Sequence, residues 1–135
     1  MRCFMFGAAL VATSGCKSFE PAFDGSLFLT QRVGNEMEAL FRGTVSLDEA
    51  GCYRLGLGNN QITMVWPPGY RLIPTIEGPA VVNQDGNEVG RVGGSFEFAG
   101  GVVQTLSAGV VEEDELRSTA LIKCPGTFWL ASPLR

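Results

Sequence analysis

The sequence predicts a small all-β domain, a closed or nearly closed β-barrel of about six to eight short antiparallel strands with a two-sheet β-sandwich as the alternative, and three observations carry that prediction. Gly 18 and Pro 7 among 135 residues break the chain into short runs of Val, Leu, Phe and Thr, the composition of strands cut by turns. Apolar and polar residues alternate with period two across residues 41–47 and 61–66, so each stretch has one face for a core and one for water. Helical periodicity is scarce, and no repeat of about 20 to 50 residues is visible, which sets aside propellers and solenoids.

Taken in order, the chain opens with Arg2, an apolar run over residues 4–12, and Thr13-Ser14-Gly15 before Cys16. A charged start, an apolar middle and a small-residue end are the parts of an export leader. The layout resembles a bacterial lipoprotein signal peptide, in which a small-residue box ends at a cysteine that is acylated on sulfur and becomes the new N-terminus. Carried over, residues 1–15 are the leader and Cys16 is the lipidation site, although Thr13 occupies the place where that family usually has Leu. An ordinary signal peptide cleaved nearby without lipid is the alternative. A membrane-crossing helix needs roughly 20 apolar residues, and this run breaks well short of that. The expected location is therefore outside the cytoplasm, anchored by palmitate-type acyl chains to the periplasmic or extracellular face of a bacterial membrane.

Residues 16–33 read as a tether, rich in Ser, Glu, Pro, Asp and Gly, with residues 26–30 open between tether and first strand. The barrel domain is placed at 34–135. Residues 41–47 and 52–57 form a hairpin around the Asp48-Glu49-Ala50-Gly51 turn, with Tyr53, Leu55 and Leu57 on one face; Cys52 then points to the opposite side. Ile62, Met64 and Trp66 line a third strand that Pro67-Pro68-Gly69 ends, because neither proline donates to a ladder. Residues 81–92 form a hairpin about an Asp85-Gly86 turn. Phe96 and Phe98 share a face between the glycine pairs Gly93-Gly94 and Gly100-Gly101, which suit barrel corners. Residues 102–106 read as a further strand. Glu112-Glu113-Asp114-Glu115 suits either a helix start or a solvated turn, and residues 120–131 read as the last strand.

Charge and side-chain chemistry then exclude several function classes. The formal net charge is −4 and becomes −5 once Arg2 leaves with the leader; with no run of Arg or Lys the chain lacks the cationic footprint that nucleic acid requires. With His 0 and no Cys-x-x-Cys, neither a His-based triad nor the usual zinc sites can be built. Gly-x-Ser-x-Gly does not occur, and the one Ser-x-x-Lys, Ser14 to Lys17, straddles the end of the leader. The sequence therefore reads as a non-enzyme without metal or cofactor. Of Cys 4, Cys3 lies in the leader and Cys16 is the lipid site, which leaves Cys52 and Cys124 as one disulfide in an oxidising compartment. Closing so long a loop stabilises a fold by about 4 kcal/mol on the loop-entropy argument.

Four aromatics are candidate binding residues: Trp66 and Tyr70 flanking the Pro-Pro-Gly turn, and Phe128 and Trp129 near the end. Such rings stack on sugars or grip a protein partner; the competing role for Trp66 and Tyr70 is core packing and turn capping. Trp66-Pro67-Pro68-Gly69-Tyr70 together with Cys124-Pro125-Gly126-Thr127-Phe128-Trp129 resembles a group of small exported bacterial lipoprotein domains of unknown function, the likeness running from about Gly43 to Ala131. That resemblance implies export and a compact β domain and brings no catalytic residues. Two functions follow as expectations: a lipid-anchored cell-envelope interaction domain, its partner an unidentified envelope protein, or a carrier or sensor of a small ligand or glycan using Trp66, Tyr70, Phe128 and Trp129.

Overall fold

A computed structural model describes residues 26–56 and 61–134. The leader, Cys16 and most of the tether lie outside the described residues, as do residues 57–60, Leu57 among them. In chain order the elements are β1 (Leu29–Thr30), β2 (Ala39–Leu47), β3 (Tyr53–Leu55), β4 (Ile62–Trp66), β5 (Arg71–Ile73), β6 (Ala80–Val82), β7 (Glu88–Arg91), β8 (Ser95–Val103), α1 (Asp114–Lys123) and β9 (Thr127–Ser132).

The alternation in residues 41–47 becomes β2, which turns at Asp48 and returns as β3 with Val45 opposite Leu55 and Leu47 opposite Tyr53. Strand β4 continues the meander, Thr63 opposite Arg54. The chain then leaves, and β8 comes back antiparallel beside β2, from Ala39↔Gly100 to Thr44↔Ser95; three meander strands and a fourth returning beside the first make a Greek key. Finally β9 pairs antiparallel with β8 and parallel with β4, from Ile62↔Thr127 to Val65↔Leu130. That last seam closes a barrel of five strands, β2, β3, β4, β9 and β8.

The all-β barrel expectation holds, with differences in its construction. The barrel has fewer strands than the turn count suggests, because residues 71–91 form a separate sheet, β5-β6-β7. Two pairings are parallel, β4 with β9 and β1 with β4. The strand read over residues 120–123 is the last turn of α1; carboxylates at Asp114 and Glu115 favour a helix start, and they outweigh the β-prone Leu121-Ile122. Gly100-Gly101 does not end a strand: β8 runs through it, with Gly101 facing the Met37 side chain. Residues 26–30, open between tether and first strand, belong to the packed domain: Leu27 and Leu29 are buried, and β1 lies along β4.

Period two sorts the side chains into two cores. Val45, Tyr53, Leu55, Met64, Trp66, Phe96, Phe98, Trp129 and Ala131 fill the barrel, with Tyr70 and Val81 joining from its mouth. Residues of opposite parity, Cys52, Val65 and Phe128, form a second core outside the barrel wall, covered by Leu27, Leu29, Leu106, Val111, Ala120 and Cys124. The small sheet packs Leu72, Val81 and Val89 onto the first core. Gly90 makes that approach possible, because a Cβ there would run into the Phe96 ring. Gly126, at φ 106°, serves the seam: a side chain would meet the Gln61 carbonyl, to which the Thr127 N–H donates at 3.0 Å.

One buried polar side chain fastens the far end of that seam. Gln31 is 1% exposed, and its Nε2 donates to the carbonyls of Val65 and Trp66 on β4, each at 3.2 Å, and of Ala131 on β9 at 2.6 Å. Its Oε1 accepts from Asn35 Nδ2 at 2.9 Å. Paired ladder bonds end at Val65↔Leu130, and the amide bridges the two strands just past that point. Leu at this position would remove the buried amide's bonds to both strands, at a cost of about 2 kcal/mol. Q31L is therefore expected to lower the urea midpoint by that equivalent with an unchanged m-value, measured on the oxidised protein; a midpoint within error of wild type would refute the fastening role.

Candidate functional site

The sequence pattern put forward four aromatic residues, and the fold brings three of them together. Trp66 ends β4 on the inward parity and is fully buried. Its indole stacks on Phe28, ring centroids 5.1 Å apart, and takes edge contacts from Tyr53, Phe96 and Phe98. Tyr70 follows the Pro67-Pro68-Gly69 turn and is tilted against Phe98 at 6.1 Å. Burial pushes its hydroxyl above the ordinary phenol range, and the Asp85 charge adds to that. Trp129 enters from β9, with Phe41 at 6.1 Å, and its Nε1 donates to the Ala99 carbonyl at 3.3 Å.

Phe128 is set apart. Neighbours on a strand point to opposite faces, so Phe128 lies outside the barrel wall in the second core while Trp129 lies inside. The four rings form no common surface, and each is at most 8% exposed. Core packing is thus the structural role of Trp66, with Tyr70 closing the turn. One polar atom in this cluster is unsatisfied: Trp66 Nε1 is buried without a hydrogen-bond partner among the described residues.

The cysteine pairing expected from the sequence is present. Cys52 and Cys124 form a disulfide with Cα atoms 5.8 Å apart across a sequence separation of 72. As the parity of β3 requires, Cys52 faces outward from the barrel, and the bond lies in the second core.

Around this disulfide is a polar clamp that the sequence reading missed. Asp48 Oδ1 accepts the backbone N–H groups of Ala50 and Cys52, each at 2.9 Å, holding the turn that presents Cys52. Asp48 Oδ2 pairs with Arg54 Nε at 3.0 Å. Arg54 Nη1 donates in turn to Thr63 Oγ1 at 2.8 Å and to the Pro125 carbonyl at 3.0 Å. The clamp spans β3, β4 and the residue after Cys124. Its only sequence signal is the polar phase of each strand, which puts Arg54 and Thr63 on one outer face.

The remaining acids among the described residues are engaged or solvated. Asp114 pairs with Arg117 at 2.7 Å, which holds its carboxyl below the usual range, and Arg117 Nη1 also donates to the Leu106 carbonyl. Glu112 accepts from Thr30 Oγ1 at 3.3 Å, while Glu113 and Glu115 are exposed. Among the described residues no three His, Cys, Asp or Glu side chains converge as metal ligands, and no helix is long and apolar enough to cross a membrane. No family model matches the sequence, and neither a curated protein nor a solved structure is similar enough to it to count as a match.

Burial raises the Asp48 pKa, but the Cys52 N–H, Arg54 and the Ala50 N–H together lower it further, so the net value lies below the ordinary 3.8. A depressed carboxyl stabilises the fold at pH above its unfolded value, and that stability is lost as pH falls through the folded value. D48N is therefore expected to be less stable than wild type at neutral pH by about 1 kcal/mol, the scale of a partly exposed ion pair. The gap should narrow as the pH is taken from 6 towards 3 in parallel urea titrations. A gap that is constant or widens toward acid would remove Asp48 from the clamp.

Proposed function

We propose that the protein is a lipid-anchored interaction domain of the bacterial cell envelope, held to the membrane through acylated Cys16 and presenting the barrel to an envelope protein. The observation that carries the reading is the Cys52–Cys124 disulfide. Such bonds persist in oxidising compartments and are rare in a reducing cytosol, which agrees with the export leader of residues 1–15. The burial of Trp66 and Trp129 inside the barrel and of Tyr70 at its mouth favours recognition by the outer surface over an aromatic grip. The reading includes no catalytic residue, metal or cofactor.

A single observation favours the second reading, a small-ligand or glycan carrier. Among the described residues the indole N–H of Trp66 has no partner, and the oxygen of a ligand entering between the rings would satisfy it.

Intact mass spectrometry of the protein from its native membrane fraction tests both. The expected mass is that of residues 16–135 plus acyl chains, two hydrogens lighter before reduction, and crosslinking in intact cells should then join it to a discrete envelope protein. An unmodified full-length mass with free thiols would overturn the anchoring. A stoichiometric small molecule in the native-state spectrum, with no crosslinked partner, would replace the interaction reading with the carrier one.

A further inference from the structure

The last turn of α1 is unusually apolar for an outer surface. Ile122 is 82% exposed and Leu121 39%, and Lys123 beside them is exposed too. Only Ala120 among the helix residues is buried, so this apolar pair contributes nothing to the core. Ile76, at the tip of the β5–β6 hairpin, is also exposed, but it belongs to the small sheet on the barrel core.

The path of the chain distinguishes these two sites. The Leu27 N–H donates to the Gly51 carbonyl at 2.7 Å. Gly51 precedes Cys52, Cys52 is bonded to Cys124, and Cys124 closes the turn that carries Leu121 and Ile122, its N–H donating to the Ala120 carbonyl. Leu27 and Cys124 also share the second core. Hence the chain leading back to Cys16 departs from the same end of the domain that exposes the apolar turn. Ten residue steps separate Cys16 from Ser26, and even a fully extended chain covers at most about 35 Å in that number. A domain of this size is itself about as wide.

We infer that the C-terminal turn of α1, Leu121-Ile122-Lys123, rests on the lipid surface in which Cys16 is anchored. The inference depends on the anchoring proposed above. Two aliphatic side chains bind a bilayer weakly on their own, but a short anchor keeps them at high effective concentration beside it. Lys123 suits the anionic headgroup region. Glu49, exposed on the neighbouring turn, offsets that charge, so the contact is chiefly apolar and insensitive to salt.

The test uses the full-length acylated protein in phosphatidylcholine–phosphatidylglycerol vesicles, with I122W and I76W as reporters at exposed positions that leave the cores intact. Native Trp66 and Trp129 are buried and supply a common background. Brominated phosphatidylcholine should quench the added emission of I122W about twofold, with a blue shift that persists in high salt, and leave I76W unchanged. An unquenched I122W in protein that floats with the vesicles would overturn this inference alone, as would equal quenching of I76W. Protein that fails to float with vesicles would overturn the anchoring and this inference with it.

Discussion

The fold depends on one seam, the parallel pairing of β4 with β9. Every other barrel contact joins antiparallel neighbours, whereas this one joins strands with about 60 residues between them and cannot be made by a tight turn. Each end of the seam is fastened by a different chemistry. At the entry, Gly126 brings the backbone against Gln61, and the disulfide ties Cys124 to the strand beyond β4. At the exit, where the ladder stops, the Gln31 amide takes the carbonyls of both strands. A covalent bond and a buried amide thus do together what a longer ladder would do in a larger barrel.

Closing so few strands into a barrel also fixes what its interior can contain. The space is narrow enough to be filled by side chains, and here aromatic rings fill it: Trp66 is surrounded by Phe28, Tyr53, Phe96 and Phe98 at centroid distances of 5.1–6.3 Å. Edge and offset contacts between such rings add to the burial of their area. The residues that looked most available for recognition are therefore the ones that hold the wall in shape. Their polar handles are treated unequally, since Trp129 finds the Ala99 carbonyl while Trp66 Nε1 finds none among the described residues.

Where local pattern decided the structure, the sequence was readable. The β2–β3 hairpin, the β4 strand ending at Trp66 and the outward direction of Cys52 all follow from period two and turn chemistry, and so does the pairing with Cys124 once export is assumed. Where a distant partner decided, it was not. Nothing local marks Leu27 and Leu29 as core, because their burial comes from β4 and from a layer contributed by residues 106–124. Gln31 looked like one more polar tether residue, and its role exists only once β4 and β9 are side by side. Residues 120–123 went wrong for a related reason: Ala-Leu-Ile suits a strand, but helix placement follows from acids six residues earlier. As a site, the four aromatics were legible as residues and misleading as a set, because adjacent Phe128 and Trp129 necessarily face opposite ways.

The position of β4 at the meeting point of β1, β3 and β9 has a kinetic consequence. β1 lies near the start of the described chain and β9 near its end, and both must reach the same central strand before the barrel is shut. Contacts this distant in sequence make for slow, late closure, since the entropy of the intervening loop is lost before the contacts form. A growing chain can form the β2–β3 hairpin early, but its hydrophobic interior stays open until β9 arrives. Folding of this domain is therefore tied to the arrival of its last strand.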